Sequence, residues 1–109
     1  MSSLKNSVTL FGNILNNPKL IPQSNNRKLV VFNFNVVEDY KDSNRKKRVS
    51  ATIVNVIAWN EKAQYIYDNL KKGTQIAIDG RIKTRQLKKD RNTEYKTEVQ
   101  IDEFLILNT

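Results

Sequence analysis

The chain contains no histidine and no cysteine. Without imidazole it lacks the usual acid–base catalyst near neutral pH, and without a thiol it lacks a cysteine nucleophile. The common zinc ligands and any disulfide are absent for the same reason. A carboxylate enzyme is the one catalytic option left. The Asp and Glu residues, however, are scattered beside Lys and Arg as on solvated faces, with no convergent cluster. No enzymatic activity, metal or cofactor is expected.

Long apolar runs are lacking too. Residues 1–5 are polar and no apolar stretch follows, so neither an export signal nor a membrane span is expected. The expectation is an intracellular protein, cytoplasmic, nucleoid-associated or organellar. With 109 residues the chain is expected to form one domain over 1–109, with a thin margin for its core. What it has in surplus is positive charge: 19 Lys and Arg against 11 Asp and Glu give a net +8. A surplus of this size over a whole domain favours a polyanionic partner, nucleic acid first. A membrane surface usually wants an amphipathic basic helix, and the one helix signal, near residues 61–71, carries mixed charge. A charge serving solubility alone is the plain alternative.

The hydrophobic pattern is mostly of period two. Val8, Leu10 and Gly12 alternate with Thr9, Phe11 and Asn13, which predicts a strand to about residue 16, ended by Asn17 and Pro18. Residues 22–27 predict a turn. Val30, Phe32, Phe34 and Val36 share one parity and predict a second strand with a core face. Residues 38–48 hold almost no aliphatic side chain and end in Arg45, Lys46, Lys47 and Arg48, which predicts a long charged loop or hairpin tip. Residues 49–59 form a β-branched run suited to a central strand. Asn60 is placed to cap a helix over 61–71, with Ala63, Ile66, Tyr67 and Leu70 at helical spacing and Gly73 as its stop. Tyr65 and Tyr67 are expected to pack. A strand over 74–87 contains Gly80, an expected bulge or bend. A turn over 88–92 leads into a last strand over 93–107. Five strands with one helix between the third and fourth match an all-β, five-stranded Greek-key OB barrel. RRM and ferredoxin-like folds need two helices.

Proteins that hold single strands combine a cationic groove with aromatic faces on which bases stack. Arg81, Lys83 and Arg85 project to one face of a strand, and Lys88, Lys89 and Arg91 continue along the same hairpin. Residues 45–48 form a second cationic cluster. A solvated charged face is the competing explanation for both. Trp59, the single Trp, ends an apolar strand and fits either a core position or a stacking platform. Tyr40 lies among Glu38, Asp39, Lys41 and Asp42, a context poor for burial and better for a platform. Phe32 and Phe34 fit the core, and periodicity leaves Phe11 and Tyr95 undecided.

Taken in order, several segments resemble the bacterial single-stranded DNA-binding protein (SSB) family. Residues 8–14 with Asn17 and Pro18 resemble its opening strand and turn, and Asn33, Phe34 and Val36 its second strand. Residues 55–59, Ala63, Tyr65 and residues 70–73 resemble its third strand, helix and Lys-Gly turn. Residues 80–85 resemble its Gly-Arg-Leu-x-Thr-Arg segment, and Tyr95, Thr97, Glu98 and Val99 its Tyr-x-Thr-Glu-Val strand. The resemblance implies an OB fold and a homo-oligomer, usually a tetramer, wrapped by single-stranded DNA in replication, recombination and repair. It implies four stacking positions. Trp59 falls on one and Tyr40 on a second, while Ile53 and Leu87 occupy the others and cannot stack. Weaker binding per nucleotide is the consequence expected. Lys83, Arg85, Arg48 and Lys5 are expected to meet phosphates, with Arg81 and Lys88 along the same path. Val54 stands where many members place an interface His, so dimer and tetramer both stay open. Typical members end in a Gly/Pro/Gln-rich tail whose acidic tip recruits replication and repair proteins. This chain stops at Leu107, Asn108 and Thr109, so no such tail is expected. Tailless primosomal OB-fold relatives, which act mainly as adaptors for protein partners, are the alternative.

Overall fold

Period-two strands need an apolar surface to bury against, and here they provide it for one another by curling into a barrel. The computed structural model describes residues 6–107. In chain order it contains β1 (Val8–Ile14), β2 (Lys19–Pro22), β3 (Lys28–Lys41), β4 (Lys47–Trp59), α1 (Asn60–Asn69), β5 (Gln75–Lys89) and β6 (Asn92–Ile106). The strand order is β1-β5-β6-β4-β3-β2, and β1 also pairs with β3. That extra pairing closes β1, β5, β6, β4 and β3 into a five-stranded barrel, with α1 between its third and fourth strands as expected. Pairing is antiparallel except for a short parallel contact of β4 with β6 at Val56–Val99 and Ile57–Gln100. Among the described residues no helix is long and apolar enough to cross a membrane.

Val30, Phe32, Phe34 and Val36 point inward from β3, together with Ile14, Val56, Ala58, Ile76, Ile78, Val99 and Ile101 from the other barrel strands. Phe32 and Phe34 pack edge to face, with ring centroids 6.4 Å apart. Burying each such side chain contributes about 1.5–3 kcal/mol. Ala63 and Ile66 of α1 plug one end of the barrel. Tyr65 and Tyr67 were expected to pack but are about half exposed. The narrow inward stripe of this short helix is filled by Ala63 and Ile66, and only Tyr65 finds a ring neighbour, Phe104, at 5.9 Å.

Several boundaries differ from the sequence-based expectation. β1 ends at Ile14, and residues 15–18 bridge to a short β2 that periodicity does not reveal. The bridge satisfies the backbone of Asn33: Leu15 N donates to Asn33 O at 2.9 Å, and Asn33 N donates to Asn16 Oδ1 at 2.7 Å. Residues 38–48 are mostly strand rather than loop. The β3–β4 ladder runs unbroken from Leu29–Trp59 to Lys41–Lys47, leaving only residues 42–46 as the tip. An arm wet on both faces needs no aliphatic alternation, so composition hid the strand. The β5–β6 turn shrinks in the same way to Asp90 and Arg91. Asn60 does not cap α1. Its φ is +57° and its Oδ1 accepts from Lys28 N at 3.3 Å, because β4 passes straight into the helix. The helix stops at Asn69, and Gly73, at φ +93°, donates its N–H to Ile14 O at 2.8 Å.

Closing the barrel requires β1 to approach two strands at once. At Gly12, which pairs with both Val36 and Ile76, a Cβ would lie 1.9 Å from Asn35 O. At Gly80, opposite Val8 and Ile101, a Cβ would lie 2.1 Å from Gln100 O. Gly80 also opens the expected bulge: Asp79 pairs with Glu103 and Gly80 with Ile101, leaving Asp102 extra. Gly12→Ala should therefore destabilise the fold by about 3 kcal/mol or more, at the upper end for overpacking because the clash is with backbone. Urea unfolding should show a lower midpoint at unchanged slope. A change below about 0.5 kcal/mol would show that closure tolerates a side chain there.

Candidate nucleic-acid interface

The alternation that sends the even-numbered residues of β3 into the core turns the odd-numbered ones outward. Leu29, Val31 and Asn33 stand opposite Trp59, Ile57 and Asn55. Directly opposed residues share a face, so Trp59 belongs to the outer surface and not to the barrel core. A groove of about 840 Å³ runs over this surface. Lys19 and Ile21 of β2, Leu29 and Val31 of β3, and Trp59 form one side. Arg85, Leu87 and Lys88 of β5 and Lys96 of β6 form the other. The turn before β3 adds Arg27, whose guanidinium carbon lies 5.1 Å from the centroid of the Trp59 ring. Trp59 is half-buried on the same face as Leu29 and Ile57, both of which are buried. The result is an outward-facing ring bordered by cations.

The cations are not equivalent. Arg81, Lys83 and Arg85 do share a face, opposite Gln100, Glu98 and Lys96. Two of them are engaged. Arg85 donates from Nε and Nη2 to the two carboxylate oxygens of Glu98, at 2.8 and 3.2 Å. Arg81 Nη2 donates to Asp102 Oδ1 at 3.2 Å, while its Nε is buried without a partner. Lys83 and Lys88 are exposed and, among the described residues, enter no ion pair. On the β3–β4 arm, Tyr40 stands opposite Arg48 and is about half exposed. The unbroken register puts both on the opposite pleat face from Trp59. Trp59, Arg85 and Lys88 are thus brought into one groove with Lys83 beside it, whereas Tyr40 and Arg48 lie apart on the arm. Lys5 lies outside the described residues.

A barrel of this order with such a groove invites comparison with known proteins. The family model described as "Single-strand binding protein family" matches residues 5–107. The chain belongs to this family. It is 33% identical over 105 residues to a single-stranded DNA-binding protein of Oceanobacillus iheyensis, covering 95% of this chain and 64% of that one. It is 30% identical to a single-stranded DNA-binding protein of Streptococcus mutans, covering 95% and 63%. The chain therefore spans a little under two thirds of the length of these relatives. Among solved structures it is similar to the wild-type single-stranded DNA binding protein of Thermus aquaticus, with TM-score 0.78 at 22% identity over 94% of this chain and 50% of that one. It is similar to a Plasmodium falciparum SSB in complex with ssDNA, with TM-score 0.79 at 18% identity over 99% and 98%. These two likenesses support the fold alone.

The two family positions without an aromatic ring also fall on this surface. Ile53 is exposed on the Trp59 face of β4, and Leu87 lines the groove. Sequence reasoning missed Lys19, Arg27, Lys96 and Glu98. Lys96 and Glu98 were within reach, since alternation in β6 sets them opposite in parity to the buried Val99 and Ile101. Arg27 was not, because its position depends on a turn that carries Asn25 and Asn26 at φ of +60° and +59°.

Asp42 organises the tip of the arm. Its Oδ1 accepts from Asn44 N at 2.9 Å and Lys46 N at 3.0 Å, and its Oδ2 accepts from Arg48 Nε at 3.0 Å. The Arg48 guanidinium, followed by the Lys46 and Asn44 amides, holds the Asp42 carboxyl below its ordinary value. A depressed folded-state pKa means that the contribution is present above the unfolded carboxylate pKa of about 3.9 and is lost as pH falls through the lower, folded value. The amide shifts of Asn44 and Lys46 should therefore titrate with a midpoint below the ordinary carboxylate value, as followed by NMR. Asp42→Asn should remove that transition. A midpoint at or above the ordinary carboxylate value would contradict the three contacts.

Proposed function

We propose that this chain binds single-stranded DNA without regard to sequence and does no covalent chemistry. The observation that carries this reading is that the one Trp shares an open groove with Lys19, Arg27, Lys88 and Lys96. Every base has a π-face, so a stacking ring accepts any of them, and cations along the groove track the backbone. Trp59 is the platform. Lys83 and Lys88 meet phosphates, joined by Lys96. Tyr40 and Arg48 offer a second, separate contact on the arm, Arg81 borders the groove, and Lys5 is a further phosphate contact. The family's printed description and the names of the Oceanobacillus iheyensis and Streptococcus mutans relatives support the choice of single-stranded DNA over other polyanions. The role that follows is protection of exposed single strands in replication, recombination or repair, in the nucleoid or cytoplasm.

Titration of the single Trp with oligo(dT) tests the proposal, with duplex DNA as control. Fluorescence should be quenched by oligo(dT) alone, less so as salt rises. Each phosphate contact on a single strand adds about 0.7 to the slope of log K against log salt, so Lys83→Ala with Lys88→Ala should lower it by about 1.4. Equal binding of duplex, or an unchanged slope in the double variant, would sink the assignment.

The same proposal includes a homo-oligomer, a dimer or tetramer. Phe11, Ala77 and Leu105 are opposed across β1, β5 and β6 and form an apolar row on the outer surface. Phe11 is 57% exposed and Leu105 64%. Residues 8–11 of β1 pair with β5 on one side, while the β1–β3 pairing begins only at Gly12, so their other edge is open. An open edge beside an apolar face suits a second copy related by a two-fold axis. Sedimentation at micromolar concentration should give a dimer or larger for the parent and a smaller species for Phe11→Glu with Leu105→Glu. A monomeric parent would refute this part.

A further inference from the structure

Glu98 is the one buried charged residue among those described, and its side chain is 1% exposed. It lies under a groove read above as a path for a polyanion. A carboxylate in that position repels phosphate, and water screens it little. Lys83 is directly opposite on β5, and Lys96 is two residues away on the same face of β6. Glu98 is bound to neither but to Arg85, through both carboxylate oxygens at 2.8 and 3.2 Å. Arg85 is itself largely covered, with 22% of its side chain exposed.

Arginine and lysine grip phosphate differently. A guanidinium offers a planar fork that fixes a phosphate in one orientation, whereas an ammonium is a point charge with freely rotating donors. An unpaired Arg85 would be the groove's rigid clamp. We propose that Glu98 is a positioning residue that withdraws Arg85 from the DNA. It takes up the fork, cancels its charge and keeps the guanidinium as a strut in the groove floor. The phosphates are left to Lys83, Lys88 and Lys96, which hold the backbone without fixing its register. This rests on the single-strand reading.

Salt-dependent oligo(dT) titrations of three proteins test the idea: the parent, Arg85→Met with Glu98→Leu, and Glu98→Gln. The double variant removes both charges and keeps the volume, a replacement that folded proteins commonly tolerate. It should keep the parent's slope of log K against log salt. A slope lower by about 0.7 would mean that Arg85 is itself a phosphate contact, and would overturn the proposal. Glu98→Gln frees one cation and should steepen the slope by about 0.7, so that its gain in affinity shrinks about 2.6-fold between about 50 and 200 mM salt. A folded Glu98→Gln protein with the parent's slope would overturn it too. If Glu98→Gln fails to fold because a cation is left without its counter-charge, the double variant still decides. A parent that binds no oligo(dT) overturns the single-strand reading and this inference together, whereas a binding parent with a flattened double variant overturns this inference alone.

Discussion

At Gly12 the backbone of β1 meets β3 on one side, opposite Val36, and β5 on the other, opposite Ile76. Only a residue without Cβ allows that, since the Asn35 carbonyl occupies the space a side chain would take. This double pairing turns an open sheet into a barrel. Without it the inward side chains of β3 would have no opposite wall, and Ile76 and Ile78 would face water. A chain of 109 residues has little other burial to fall back on. Gly80 plays the matching part at the other end of β1, where the bulge in the β5–β6 pairing lets the sheet bend.

Closure also decides which residues are left for binding. Once the even-numbered face of β3 is inside, the odd-numbered face must be outside, and the β3–β4 register carries Trp59 outward with Leu29 and Val31. A one-residue slip of β4 against β3 would turn Trp59 to the core face. The register that builds the core is therefore the same constraint that presents the stacking ring. Core and groove are two faces of one ladder, and the buried Leu29 and Ile57 share the outer face with Trp59.

This explains what was legible in the sequence. Phe32 and Phe34 were assigned to the core by parity, and the barrel with its single helix by strand count, because period two survives wherever one face is dry. Trp59 stayed open on periodicity alone, since it ends a run of residues that is apolar on both faces. The resemblance to the SSB family pointed it outward, and the register agrees. Residues 38–48 were read as a long charged hairpin tip or loop, and the strand part of that hairpin was hidden because a strand wet on both faces carries no apolar signal. β2, four residues long and never fully buried, is too short to show a period. The ion pairs of Arg81 and Arg85 were hidden for a different reason. Alternation tells which face a side chain takes but not what lies diagonally across from it.

Those ion pairs form a pattern. The three salt bridges among the described residues each engage an arginine, Arg48 with Asp42, Arg81 with Asp102 and Arg85 with Glu98. Arg27 lies over the Trp59 ring. The exposed charge in and around the groove falls mainly to lysine. The two exposed pairs contribute little stability in water, and their placement matters more than their strength. The buried Arg85–Glu98 pair differs, because removing either partner alone would strand a charge away from solvent. A net charge of +8 thus divides in two. Three arginines, whose planar forks demand a particular partner geometry, are engaged in ion pairs, whereas Lys83 and Lys88, which make no such demand, face outward. For a surface that must accept any base sequence in any register, a partner held by point charges and a flat ring is the arrangement that imposes the fewest positional requirements.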